Sequence, residues 1–172
     1  MARKTKLIIG LAGKMRSGKT SAAKFLCHGF EQAGYDPVRL GFSDYLKNKL
    51  SLVTGPLNDD DKCRARPALR GLADFFKYRH GERFFVEQWL KIANEFGERG
   101  VNVFIIDDVR YPYEAQFIWD HGGDVVRLKR PETDATNDNH ASETSVDEID
   151  ADYTVTASEL QDLTDQLKAI YL

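Results

Sequence analysis

The sequence predicts an α/β protein built on a five-stranded, mostly parallel sheet with helices on both faces. Apolar runs of strand length alternate along the chain with segments in which apolar residues recur at helical spacing. Strands that are buried on both faces and joined through helices are typical of parallel sheets. The length of 172 residues suits one domain, and 42% hydrophobic with 30% charged residues is a globular composition. Right-handed crossovers limit the topology, and we adopt the strand order 2-3-1-4-5 by analogy with known sheets of this kind.

The first half of the chain contains two predicted strands and four predicted helices. Ser43 or Asp44 suits the N-cap of the second helix, and Pro67 suits the first turn of the third. Gly81 separates the third helical pattern from the fourth. The predicted elements are, in order, a strand over 6–12, a helix over 18–33, a strand over 37–42, a helix from 43 or 44 to 53, a loop over 55–61, and helices over 67–78 and 82–96.

The second half of the chain begins with its most apolar stretch, which predicts a buried strand. Pro112 opens the next helix, and Gly122 with Gly123 ends it. A polar stretch then predicts a loop before the last strand and helix. The predicted elements are a strand over 101–107, a helix over 112–120, a strand over 125–129, a loop over 131–142, a strand over 153–156 and a helix over 158–170.

Composition and charge argue against several classes of protein. The formal net charge of −3 disfavours a protein that coats nucleic acid through general basic charge. No apolar run approaches the length of a membrane span, so no membrane association is expected. Cys27 and Cys63 have no CxxC spacing, which predicts reduced thiols in a cytoplasmic protein.

A glycine-rich loop carries the strongest functional signal. Residues 13–20 fit the pattern G-x-x-x-x-G-K-[ST], and they lie between a predicted strand and a predicted helix, which is the context that a phosphate-binding P-loop requires. Gly13 and Gly18 allow the backbone to turn so that successive N–H groups point at one anion. The helix that follows adds the positive end of its dipole. A Rossmann-type dinucleotide site is disfavoured because the pattern G-x-G-x-x-G is absent.

Side chains of the loop complete a predicted site for ATP and Mg²⁺. Lys19 supplies a charge for the β- and γ-phosphates, Thr20 supplies a hydroxyl ligand for Mg²⁺, and Arg16 adds a guanidinium. We expect the nucleotide to contact Gly13, Lys14, Met15, Arg16, Ser17, Gly18, Lys19, Thr20 and Ser21 of the loop, together with Arg127 and Arg130.

Charged residues follow the other predicted strands. Ligands of open parallel sheets bind beyond the carboxyl ends of the strands, so these residues should converge beside the loop. A carboxylate at the end of the third strand can hold Mg²⁺ or its waters, Asp44 can accept a proton from an acceptor or position it, and Arg110 can grip a second phosphate. The residues concerned are Asp44 and Lys47 after the second strand, Asp107, Asp108, Arg110 and Glu114 after the third, and Arg127 and Arg130 at the end of the fourth.

The middle segment is rich in arginine and aromatic residues. Arg66 and Arg70 precede Phe75 and Phe76 in this segment, and arginine beside an aromatic ring can clamp a base and its phosphate. The alternative is an amphipathic pair of helices with a solvated basic face.

Four blocks of sequence resemble one family of proteins. They are residues 10–20, residues 41–47, which are similar to a Phe-Ala-Asp-x-Leu-Lys block, residues 108–115, which are similar to an Asp-x-Arg-x-x-x-Glu block, and residues 126–131 followed by a His-x-Ser-Glu element at 140–143. The chain resembles the nucleoside monophosphate kinase branch of P-loop proteins, and most closely the viral-type deoxynucleoside monophosphate kinases. The blocks span nearly the whole chain, and the last two are far more specific than the first.

This resemblance implies a three-layer P-loop NTPase fold and transfer of the γ-phosphoryl group of ATP to a nucleoside 5′-monophosphate. It implies a single domain over 1–172, with an acceptor-binding helical segment over 43–99, a lid over 130–143, and a location in the host cytoplasm if the protein is viral. The expected catalytic residues are Lys19, Arg16, Asp44, Arg110 and Arg130. The expected acceptor-binding residues are Asp44, Lys47, Arg66, Arg70, Asp108, Arg110, Glu114, His140 and Glu143, and the expected metal-side residues are Thr20, Asp107 and Asp108.

Two other functions stay open at this point. A P-loop kinase that phosphorylates a 5-hydroxymethyl pyrimidine in DNA would share the loop and differ in its acceptor cleft, although the acidic charge balance argues against a polymer substrate. A non-catalytic nucleotide-binding module would bind ATP without transferring phosphate. The sequence also leaves open the base, the sugar, the choice between Asp107 and Asp108 at the metal, and whether the protein forms a homodimer.

Overall fold

The computed structural model describes residues 6–56, 59–133 and 144–172, and its centre is a five-stranded parallel sheet. The strands lie in the order β2-β3-β1-β4-β5, which confirms the predicted topology. Their bounds are β1 Leu7–Ala12, β2 Pro37–Arg39, β3 Val103–Val109, β4 Asp124–Lys129 and β5 Tyr153–Thr156.

Helices cover both faces of the sheet. Their bounds are α1 Lys19–Gln32, α2 Asp44–Thr54, α3 Asp59–His80, α4 Phe84–Glu98, α5 Pro112–Asp120 and α6 Leu160–Tyr171, with short 3₁₀ turns at Pro131–Thr133 and Ser145–Glu148. No described helix has the length and apolarity needed to cross a membrane. Cys27 on α1 is a free, partly buried thiol.

Successive residues of β3 divide the core into two layers, because side chains alternate across a strand. Phe104 and Ile106 belong to the layer beneath α2, α4 and α5. Val103 and Ile105 belong to the layer beneath α1 and α6. All four are at most 1% exposed, so this strand is buried on both faces, as its continuous apolar run predicts.

Helix α3 differs from its prediction. A loop was expected over 55–61 and a helix from Pro67, but one helix runs from Asp59 to His80 with Pro67 inside it. A proline within a helix removes one hydrogen bond and crowds the preceding turn, so local propensity predicts a start there. Burial overrides this cost, because Leu69, Ala73 and Phe76 of α3 pack against the core.

Strands β2 and β3 also end at different residues from those expected. β2 ends at Arg39 and not at residue 42, whereas β3 extends to Val109 and not to residue 107. The pairing of β1 with β3 shifts by one residue near its end, since Gly10 pairs with Ile106 and Ala12 with Val109. The extra residue of β3 is a bulge, which carries Asp107 and Asp108 at the end of the strand.

Trp89 of α4 is the largest fully buried side chain, and its loss should be costly. Its ring makes edge contacts with Phe42, Phe104 and Phe117, and its Nε1 donates a hydrogen bond of 2.7 Å to the carbonyl oxygen of Leu40. We expect Trp89→Ala to lower the free energy of unfolding by about 3–5 kcal/mol in urea titrations. Leu52→Ala is the control, since Leu52 is 80% exposed and should change stability by less than about 0.5 kcal/mol. Equal effects of the two substitutions would contradict this account of the core.

Candidate phosphate-binding and acceptor site

The phosphate loop joins β1 to α1 at the carboxyl edge of the sheet. Arg16 and Gly18 have left-handed φ values of 65° and 95°, which turn the backbone in the manner of an anion-binding nest. A Cβ on Gly13 would lie 2.6 Å from the carbonyl oxygen of Leu128 in β4, so only glycine fits at the first position. Among the described residues, no side chain caps the N-terminus of α1, and no acid lies in its first turn. The positive end of this helix therefore faces the loop without a compensating charge.

Lys19 folds back into the loop. Its Nζ donates hydrogen bonds of 2.6 Å to the carbonyl oxygens of both Gly13 and Lys14, and it lies 3.3 Å from the Oγ of Ser17. Lys19 is only 8% exposed, which is rare for a lysine and expensive unless the charge is paired. The ammonium thus lies at the centre of the nest, where an anion would meet both it and the backbone N–H groups.

The donor set fits a phosphate group better than a metal held by protein alone. No group of three or more histidine, cysteine, aspartate or glutamate side chains with metal-binding geometry occurs in the part of the chain that the structure describes. Mg²⁺ commonly keeps several waters and binds through one or two carboxylates plus substrate phosphates. Thr20 in the first turn of α1 and a carboxylate at the end of β3 would suffice for such a site.

Asp107 is the carboxylate of β3 that follows the buried residues on the α1 side. It is 6% exposed, and its Oδ1 lies 2.9 Å from Nη2 of Arg39. Arg39 also approaches Asp44, with Nη1 at 3.2 Å from Oδ2. One guanidinium therefore bridges two carboxylates that the sequence assigned to metal binding and catalysis.

Arg39 was missed by the sequence reasoning because the second strand was expected to run on to residue 42. The signal that could have found it is register: Arg39 pairs with Ile105, so both side chains and that of Asp107 lie on one face of the sheet. The charges of Asp107, Asp44 and Asp108 raise the pKa of this arginine, although burial alone would lower it.

Asp108 is engaged by the backbone at the start of α2. Its carboxylate accepts hydrogen bonds from the N–H of Phe42 at 2.8 Å, the N–H of Ser43 at 3.0 Å and the hydroxyl of Ser43 at 2.5 Å. Burial opposes ionisation, but the charge of Lys47 and these hydrogen bonds outweigh it and lower the pKa of Asp108. These contacts give Asp108 a structural role at the start of α2. Its assignment to the acceptor or the metal stays a prediction.

Asp44 begins α2 in a network of its own. Besides Arg39, its carboxylate accepts hydrogen bonds from the N–H of Gly41 at 2.9 Å and from Nζ of Lys47 at 3.0 Å. The two residues that were expected to bind the acceptor after the second strand, Asp44 and Lys47, are thus brought together. Both side chains are partly buried.

Arg110 follows β3 directly, and Glu114 fixes its backbone. Ala12, the last residue of β1, pairs with Val109 on one side and with Arg127 on the other, so Arg110 begins at the level of the phosphate loop. The carboxylate of Glu114 accepts hydrogen bonds from the N–H of Arg110 at 2.7 Å and of Tyr111 at 3.1 Å. Glu114 is 5% exposed and orders this turn, and its expected contact with the acceptor stays a prediction.

Helix α3 directs a basic face toward the loop and the Arg110 turn. Arg66 donates a hydrogen bond to the sulfur of Met15 in the phosphate loop. Arg70, one turn along, lowers the pKa of Tyr111 through its charge, although burial dominates and raises that pKa to about 12. Lys77, two turns further, holds its Nζ 3.8 Å from the centre of the Tyr111 ring. Arg66 thus contacts the phosphate loop and Arg70 lies near the Arg110 turn, and their binding of an acceptor stays a prediction.

A cavity of about 230 Å³ lies between the loop and the end of β4. Gly13 and Lys14 line it on one side, and Arg127 lines it on the other. Lys14 forms an ion pair of 3.2 Å with Asp147, and Arg127 donates hydrogen bonds to the carbonyl oxygens of Asp147 and Ile149. Arg127 thus anchors the chain that follows the expected lid, and its contact with the nucleotide stays a prediction.

The expected lid is described only at its start. Arg130 is exposed, and its Nε lies 3.3 Å from Oε2 of Glu132. His140 and Glu143 fall outside the described residues.

Ser21 lies on the exposed side of α1, whereas Ser17 is buried within the loop.

The buried carboxyl group of Glu114 should make the free energy of unfolding depend on pH. Burial raises its pKa to about 7, and the charge of Asp108 adds to the effect, whereas the N–H of Arg110 and the charge of Lys77 oppose it. Since the folded state holds this proton more tightly than the unfolded state, the contribution of Glu114 to stability is greatest below about pH 4.5 and declines up to about pH 7.

We therefore expect the difference in unfolding free energy between wild type and Glu114→Gln to fall by about 3 kcal/mol from pH 4.5 to pH 7. Urea titrations at four pH values measure it, and all other groups cancel in the difference. A difference that stays constant, or that grows with pH, would show that the carboxyl group is not buried as described.

The fold is shared with solved kinases. The Mycobacterium tuberculosis APS kinase in complex with AMPPNP and APS matches with a TM-score of 0.52 at 15% identity, over 97% of this chain and 95% of that one. A shikimate kinase from Bacteroides thetaiotaomicron matches with a TM-score of 0.50 at 16% identity, over 95% of each chain. No model of a known protein family matches the chain, and no curated protein matches it by sequence. Identities this low show the fold alone: the chain has the three-layer architecture of P-loop kinases along nearly its whole length.

Proposed function

We propose that the protein is a kinase that transfers the γ-phosphoryl group of ATP to a (deoxy)nucleoside 5′-monophosphate. The observation that carries the proposal is the ammonium of Lys19 inside a backbone nest at an uncapped helix N-terminus, with Arg66 of α3 in contact with the same loop. The fold of solved P-loop kinases supports it, and so does the APS kinase neighbour, which is in complex with AMPPNP and APS together. The four blocks that resemble deoxynucleoside monophosphate kinases favour a nucleotide as the acceptor.

Residues 13–21 hold the donor. Phosphate oxygens replace the carbonyl oxygens of Gly13 and Lys14 as partners of Lys19, and Arg16 adds charge from the loop. Thr20 and Asp107 hold Mg²⁺ or its waters, with Asp108 the other candidate at the end of β3. ATP with Mg²⁺ supplies the phosphoryl group and neutralises its charge.

Residues of the opposite side of the cleft hold the acceptor. Arg110 binds its phosphate bidentately, and Arg66 and Arg70 reach it from α3. Asp44 positions the attacking oxygen, with Lys47 paired to it. Because phosphoryl transfer depends on alignment and charge neutralisation, these residues need only fix the two nucleotides in line.

Arg130 completes the site from the lid. In the proposal, residues 130–143, including His140 and Glu143, close over the donor and bring Arg130 to the transferred group. Closure excludes water and so suppresses hydrolysis of ATP.

Lys19→Ala tests the donor site. Loss of the ammonium removes charge stabilisation that arginine and lysine supply in phosphoryl transfer, so kcat should fall by about 10³-fold or more. Circular dichroism should show an unchanged fold. Lys24→Ala, on the exposed side of the same helix, is the matched control and should keep the wild-type rate. Retention of more than about a tenth of the wild-type rate in Lys19→Ala would remove the assignment.

A coupled assay of ADP release tests the acceptor class. The panel contains the four common deoxynucleoside monophosphates, the corresponding ribonucleotides, and a DNA duplex with 5-hydroxymethyl pyrimidines. We expect turnover with at least one monophosphate and none with DNA. Turnover with the duplex alone would identify a DNA hypermodification kinase, and heat from ATP–Mg²⁺ binding in calorimetry without any turnover would indicate a regulatory nucleotide-binding module.

A further inference from the structure

Lys77 occupies an unusual position for a lysine of an outer helix. It lies on the face of α3 that carries Arg66 and Arg70, but its Nζ is turned onto aromatic rings and not toward solvent. The nitrogen lies 3.8 Å from the centre of the Tyr111 ring and 5.9 Å from that of Tyr113. The two tyrosines are stacked, with ring centres 5.4 Å apart and planes 12° apart. Lys77 thus makes a cation–π contact with a preformed aromatic pair.

This contact joins two elements that are far apart in sequence. Lys77 belongs to α3, whereas Tyr111 is the residue immediately before α5 and directly follows Arg110. α3 packs against α2 and α4, and the tyrosine contact attaches it to the turn before α5 as well.

Glu114 extends the same connection into the backbone of the turn. Its buried carboxylate accepts the N–H groups of Arg110 and Tyr111, and its charge attracts that of Lys77. Burial is the largest influence and lowers the pKa of Lys77, and the charges of Glu114, Asp74 and Glu82 oppose this only in part. The lysine in turn favours the ionised carboxylate that orders the turn.

We propose that Lys77 is a positioning residue for the acceptor nucleotide: its ammonium fastens α3 to the turn that presents Arg110. This inference rests on the proposed function, in which Arg110 and the arginines of α3 grip the acceptor phosphate from two sides. Without the contact, each arginine could still bind a phosphate group. The distance between Arg110 and the arginines of α3 would no longer be fixed. Lys77 itself does not contact the nucleotide.

The proposal predicts a selective kinetic effect for Lys77→Met, which keeps the length of the side chain and removes its charge. The KM for the best monophosphate of the panel should rise about tenfold, the size expected for a partly buried cation–π contact. The KM for ATP should change less than about twofold, because Lys77 is remote from the phosphate loop. Lys77→Arg should restore the acceptor KM, since a guanidinium also binds an aromatic face. Lys91→Met, at an exposed position of α4, is the matched control and should match wild type in both constants.

Amide hydrogen exchange by NMR tests the structural part without any substrate. The N–H groups of Arg110 and Tyr111 should exchange several-fold faster in Lys77→Met and regain their protection in Lys77→Arg. Tyr111→Leu removes the ring in place of the charge, and it serves as a second route to the same loss should Lys77→Met fail to fold. Since both substitutions break one contact, the double variant should be no worse than the more severe single variant.

Three outcomes would overturn the inference: unchanged exchange at both amides in Lys77→Met, equal increases of the two KM values, or multiplied effects in the double variant. Failure of the proposed function gives a different pattern. If wild type transferred phosphate to no acceptor, the kinase assignment and the acceptor role of Lys77 would fall together, whereas the exchange data would still decide whether Lys77 holds the turn.

Discussion

The pairing of β1 with β3 on one side and β4 on the other determines where the phosphate loop and the candidate residues that follow β3 lie. Because the strands are parallel, the segments that follow them leave the sheet at one edge. The register is specific at this edge, since Ala12 pairs with both Val109 and Arg127. The phosphate loop therefore leaves β1 beside the residue that precedes Arg110 in β3 and beside Arg127 in β4. The buried apolar side chains of β1 and β3 fix that register, since a slip of one residue would turn them to the wrong layer.

The charged side chains at this edge of the sheet have different kinds of partner. Lys19 donates hydrogen bonds to backbone oxygens and can exchange them for phosphate oxygens. Asp108 instead accepts hydrogen bonds from the backbone at the start of α2. Arg39 forms ion pairs with both Asp107 and Asp44, which allows these two acids to lie near one another at the edge of the sheet. The net acidity of the chain does not exclude an anion site, because a local group such as Lys19 in its backbone nest can outweigh the net charge.

Local patterns were sufficient for the alternation of strands and helices and for the phosphate loop, whereas the sheet order was adopted by analogy and is confirmed by the structure. Buried strands read as continuous apolar runs, and the loop is a contiguous motif between a strand and a helix. The predicted start of α3 was wrong. Pro67 is a local signal for a helix start, whereas the packing of Leu69 and Phe76 that overrides it is a long-range interaction. The end of β2 was wrong for a similar reason: Asp108, which lies 65 residues away from Ser43, holds the backbone there and turns it into α2. Roles that depend on register or on such distant contacts, as with Arg39 and Lys77, cannot be seen along one line of sequence.

The bulge at the end of β3 has a mechanical consequence. It allows two consecutive aspartates to serve different partners, since Asp107 pairs with Arg39 and Asp108 binds the start of α2. A single peptide unit therefore connects the carboxylate on the α1 side to the helix that opens the acceptor segment. Adjacent backbone positions of one strand therefore join the ion pair with Arg39 to the hydrogen bonds that hold the start of α2.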